Sequence, residues 1–158
     1  FVFSAFPFMP AYRVAWYAAP TFNYVLLGVA LLLCVTILVS FFRHRKARKE
    51  DPPGARWAMR LGALVAALTL AFVVAVTIIV SSAGDDLFSG FPPTLTAALM
   101  LPILSSILTL GVVVCAVIVW LRGYWSRCRR LHYTLFALFA LGLAWFYWYW
   151  NVLGVQYG

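Results

Sequence analysis

The side chains able to do chemistry are few and widely spaced in these 158 residues. Nucleophilic catalysis needs Ser, Cys or Lys beside a base that takes its proton, often in an SxxK or GxSxG arrangement. Neither arrangement occurs in the chain. Ser105, Ser106 and Thr109 follow Pro102 inside an apolar run, where hydroxyls donate back to helix carbonyls or across to a neighbouring helix. Cys34, Cys115 and Cys128 are odd in number and lack CxxC spacing, which indicates neither a metal site nor a disulfide framework. Cys34 and Cys115 read as packing groups. His44 and His132 each end an apolar run, and as a pair they have the type required of axial haem ligands. Both sit among arginines, so the preferred reading places them in a headgroup layer. No residue is assigned to catalysis, to a metal or to a cofactor.

The elements that carry these residues are apolar. The chain is 65% hydrophobic and 10% charged, with a mean hydropathy of +0.96, more than a soluble domain of this length hides from water. Four runs are long enough to cross a bilayer as helices, at about 22–42, 61–80, 95–121 and 131–150. None holds an Asp, Glu, Lys or Arg of the kind that marks a proton relay or ion pathway. The expected fold is an all-α membrane protein, an antiparallel bundle of four transmembrane helices spanning 22–150. Residues 1–21, with Pro7, Pro10 and Pro20, form a lead-in, and 151–158 an outer tail.

Charge sets the expected orientation. Arg43, Arg45, Lys46, Arg48, Lys49, Arg56 and Arg60 lie between the first two runs, with Pro52, Pro53 and Gly54 as the turn. Arg122, Arg127, Arg129 and Arg130 lie between the last two, and only Arg13 lies elsewhere. The positive-inside rule puts both basic loops in the cytoplasm and both termini outside. The net charge of +8 is then a matter of topology and of anionic lipid at the cytoplasmic face, not of nucleic acid. Trp16, Tyr17, Trp148, Trp150 and Asn151 are the expected anchors at the outer interface.

Within the bundle, Ala63, Ala67, Ala71 and Ala75 recur every four residues and predict a smooth packing stripe, joined by Pro102 and Ser106. The third run is about 27 residues, or about 40 Å of helix against a core of about 30 Å, so a bend near Pro102 is expected.

The stretches around Trp16-Tyr17 and Pro20-Thr21-Phe22, the pair Arg130 and Tyr133, and the ending Trp150-Asn151-Val152-Leu153-Gly154 form a set. They resemble the C-terminal membrane region of bacterial serine hydrolases of the β-lactamase and penicillin-binding-protein-like family. The resemblance implies a non-catalytic anchor in the bacterial inner membrane, covalently linked to an upstream extracytoplasmic hydrolase domain. The chain begins at Phe1 without an initiator Met, as expected of a fragment of that kind. The alternative is a stand-alone four-span protein that binds or carries a small solute or lipid through a cavity lined by Pro102 and the adjacent serines.

Overall fold

A computed structural model describes residues 20–44, 50–83 and 97–149. The candidate residues Trp16, Tyr17, Arg45, Lys46, Arg48, Lys49, Trp150 and Asn151 lie outside the described residues. Four helices make up the described fold: α1 Pro20–Arg43, α2 Pro53–Ala83, α3 Met100–Leu121 and α4 Arg127–Tyr149. All four are long and apolar enough to cross a membrane. Each packs on its neighbours in the chain, and α4 returns to α1, which closes a four-helix ring.

Two helix starts differ from the sequence expectation. Pro53 and Gly54 are not a turn but the first residues of α2, and the Arg56 N–H donates to the Pro52 carbonyl at 3.1 Å. Proline suits this position because the first helical N–H has no partner to lose. At 31 residues, α2 is about 46 Å long, about 16 Å more than a hydrocarbon core of about 30 Å. Arg56 and Arg60 therefore ride on a helix rather than a loop.

Regular helix starts at Met100, and Leu99, which keeps helical backbone angles at φ −67° and ψ −15°, joins it to helical residues 97 and 98. Pro102 falls in the first turn of α3, where its ring lacks the N–H that would have reached Ala98. The remaining 22 residues measure about 33 Å and match the core without excess length.

The bundle axis is filled by Ile37, Val65, Val112, Val119, Tyr133 and Phe136, all almost wholly buried. The lipid-type side chains Leu32, Leu64, Leu110 and Leu138 face outward. A second cluster joins Ala30 of α1 to Leu143 and Tyr147 of α4, with Phe72 of α2 edge-on to the Tyr147 ring at 5.6 Å.

The predicted alanine stripe is corrected. Ala63 is buried and Ala75 is half-buried, but Ala67 and Ala71 are exposed. Each four-residue step advances about 40° beyond a full turn, so the stripe drifts off the buried face. The face that packs is Ala55, Ala58, Met59, Gly62, Ala66 and Thr69, at the alternating three- and four-residue spacing that stays on one side. Pro102 is buried. Ser106 is half-buried and donates to its own helix at the Pro102 carbonyl, 2.7 Å away; the neighbouring Ser105 turns inward instead.

Candidate functional site at the basic end

The two basic connections meet at one end of the bundle. Gly54 of α2 lies under Tyr124, between α3 and α4, so closely that a Cβ there would stand 3.0 Å from the Tyr124 ring. Trp125 Nε1 donates to Asp51 Oδ2 at 3.4 Å, and Arg129 Nη1 lies 3.9 Å from the same oxygen.

The α3–α4 connection is tightly built for its length. α3 ends with the Arg122 N–H on the Ile118 carbonyl at 2.9 Å, followed by Gly123 at φ 67°. Glycine takes this left-handed conformation after a helix without a Cβ penalty. Trp125 takes it too, at φ 61°, and for a bulky residue that conformation costs about 1–2 kcal/mol. Surrounding contacts hold it there. Arg130 donates from Nε to the Tyr124 carbonyl at 2.7 Å and the Trp125 carbonyl at 3.0 Å, and from Nη2 to the Gly123 carbonyl at 2.7 Å. The Arg129 guanidinium lies 4.6 Å from the Trp125 ring centroid, and the Tyr133 ring meets Trp125 at 5.6 Å, nearly edge-on.

The cations of the sequence reading therefore divide into two groups. Arg129 and Arg130 are half-buried parts of the fold. Arg43, Arg60, Arg122 and Arg127 are exposed, and Arg56 is half-buried on α2. Arg60 stands over the exposed Trp57 ring at 5.6 Å, a pairing that favours the polar layer of a membrane.

Polar groups are engaged across and along the helices, whereas Asn23 Oδ1, Tyr147 Oη and the Nε and Nη2 of Arg129 are buried without a hydrogen-bond partner. Tyr133 of α4 reaches through the bundle and donates to the Ala58 carbonyl of α2 at 2.8 Å. The Thr69 and Ser105 hydroxyls lie 3.2 Å apart, between α2 and α3. Thr109 donates back to the Ser105 carbonyl at 2.8 Å. The Thr36 hydroxyl donates to the Leu33 carbonyl at 2.9 Å, and His132 Nε2 is 3.3 Å from Thr36 Oγ1, an N–H donor to it in the matching tautomer. His44 lies two turns further along α1, with Nδ1 3.2 Å from the Ser40 carbonyl of its own helix. The two histidines thus stand at different heights with separate partners and do not form an axial pair. Among the described residues no cluster of three or more metal-ligating side chains occurs.

At the opposite end Trp148 is exposed, and Trp145 stacks on Tyr149 at 5.4 Å. Asp51, Tyr124, Trp125 and Gly62 were not singled out by the sequence. Their roles depend on which loop meets which, and no spacing along one segment carries that information. Comparison with family models, with curated proteins and with solved structures finds no match.

Proposed function

We propose that this chain is a non-catalytic membrane anchor domain. In this reading the bundle is antiparallel in a bacterial inner membrane, its basic end in the cytoplasm and both termini outside. The resemblance at Trp16-Tyr17 and at 150–154 makes a serine hydrolase domain the proposed cargo on the outer side.

The observation that carries the reading is how the hydroxyls of α3 are used. A carrier would turn Ser105, Ser106 and Thr109 toward a polar pathway. Instead Ser106 and Thr109 bond their own helix, Ser105 pairs with Thr69, and the core of the bundle is filled by apolar side chains such as Val65, Val112 and Phe136. Anchoring asks only for such packing and for a charge difference between the two ends.

Cys128, exposed in the first turn of α4, serves as the reporter. In a Cys34→Ala/Cys115→Ala background, a membrane-impermeant maleimide should label it in inverted inner-membrane vesicles and not in intact spheroplasts. A reporter domain fused ahead of Phe1 should remain with the membrane after alkaline carbonate washing, accessible to protease from outside. Labelling of Cys128 in intact spheroplasts would sink the orientation, and release of the reporter by carbonate would sink the anchor.

A further inference from the structure

The outer surface of α3 and α4 carries a groove of about 150 Å³, the size class that accepts a benzene-sized apolar guest. Its floor is made by two small residues on facing helices, Ala116 and Ala137, and its rims by Val117, Leu138 and Leu141. Trp120 closes the basic end. The polar atoms at that end are already paired: Trp120 Nε1 donates to Thr134 Oγ1 at 2.9 Å, and the Thr134 hydroxyl donates to the Arg130 carbonyl at 2.9 Å. What lies along the groove is therefore hydrocarbon.

Its end is cationic. The groove-lining positions on α4 are 134, 137, 138 and 141, and stepping back by three or four residues reaches Arg130 and then Arg127 on the same face. Arg130 stands 5.7 Å over the Trp120 ring, with its Nη1 outside the hydrogen bonds to the turn. Arg127 is exposed and has no ion pair among the described residues. Both lie in the first turn of a 23-residue helix, whose N-terminus adds its own preference for an anion.

We propose that this groove binds one anionic phospholipid from the leaflet at the basic end, with an acyl chain along Ala116 and Ala137 and the phosphate at Arg127 and Arg130. Charge complementarity selects the occupant: a hydrocarbon trough that ends beneath two arginines fits an amphiphile with a negative head. The proposal rests on the membrane reading but not on the orientation, because it is tested in detergent.

Native mass spectrometry of the purified chain, given equal phosphatidylglycerol and phosphatidylcholine, should show one retained phosphatidylglycerol in clear excess. Arg127→Gln should reduce that excess about fivefold, the equivalent of about 1 kcal/mol for one cation near a membrane surface. Val117→Trp, placed on the exposed rim, should fill the groove and remove the retained lipid; Leu138→Trp does the same from α4 if the first variant misfolds. Equal retention of the two lipids by the unaltered chain, or undiminished phosphatidylglycerol on a folded rim variant, would overturn the site. Either result leaves the Cys128 labelling experiment unaffected, so failure of the groove and failure of the anchor are separable.

Discussion

Gly62 and Tyr133 form a lock whose strength can be read from the sign of a mutation. Tyr133 is 1% exposed, its hydroxyl fixed on the Ala58 carbonyl at 2.8 Å, and its ring bounded by Trp125 and Phe136 at 5.6 and 6.3 Å. A methyl added at Gly62 would stand 2.9 Å from Tyr133 Cε2 and 3.6 Å from Phe136 Cε1. The ring has no free side to move toward. Overpacking of this kind costs about 1–3 kcal/mol, whereas alanine improves on glycine in a helix interior by about 1 kcal/mol. Gly62→Ala should therefore destabilise the bundle by about 1 kcal/mol, despite the better propensity. Tyr133→Leu removes Cε2 and ends the clash. In that background the same Gly62→Ala change should stabilise by about 1 kcal/mol, a coupling of about 2 kcal/mol between the two positions. Tyr133→Phe keeps the ring and should keep the penalty. Unfolding in mixed micelles of rising dodecyl sulfate content, followed by far-ultraviolet circular dichroism, gives the four free energies of the cycle. If Gly62→Ala has the same sign with Tyr133 and with Leu at 133, the close approach does not set this interface and the reasoning fails.

Ala67→Leu with Ala71→Leu should change stability in the same assay by less than about 0.5 kcal/mol, because both positions face outward; a loss of more than about 2 kcal/mol would restore the alanine stripe as a packing surface. Arg130→Lys keeps the charge but loses the planar fork that reaches three carbonyls, so about 1.5–3 kcal/mol should be lost, with faster amide exchange at 123–126; an unchanged exchange pattern would refute the stapling role. Thr69→Val and Ser105→Ala should each cost about 0.6 kcal/mol, a typical value for a hydrogen bond between membrane helices, and the double variant should cost less than the sum because no hydroxyl is left unpaired. Strict additivity in that cycle would show that the 3.2 Å pair contributes nothing.

What the sequence made legible was set by single segments. Four apolar runs of sufficient length announce four helices, and their flanking arginines mark the ends that meet. The return of Ser106 and Thr109 to their own carbonyls follows from the cost of a free hydroxyl among apolar side chains. The start of α2 was misread because Pro52-Pro53-Gly54 satisfies the composition of a turn, although proline is equally suited to the first position of a helix. The alanine stripe is not the packing face for a geometric reason: strict four-residue spacing precesses around a helix, while the mixed three- and four-residue steps at Ala55, Ala58, Gly62, Ala66 and Thr69 stay on one side. Arg129 and Arg130 look like any other topology-setting cations. Their work on the Gly123–Trp125 turn exists only once that turn folds back over α4, with two left-handed residues that no local rule predicts for Trp125.

The distribution of these contacts bears on how an anchor would be built. Lipid tails are as apolar as leucine, so burial alone does not hold membrane helices together. Close approach and specific bonds must do so. Among the described residues those bonds gather in the basic half: Tyr133 on Ala58, Trp125 on Asp51, Arg130 on its three carbonyls, Trp120 on Thr134, His132 beside Thr36. The other half has one such bond, between Thr69 and Ser105, and otherwise relies on shape, through Phe72 against Tyr147 and Leu26 against Gly142. A bundle tied mostly at one end and packed at the other keeps its helices in register while its less tied ends can adjust. In the proposed orientation those are the outer ends, where α1 enters the membrane and a domain joined to it would need freedom of position. The ties lie on the proposed cytoplasmic side, remote from that junction, where movement of a cargo domain would disturb them least.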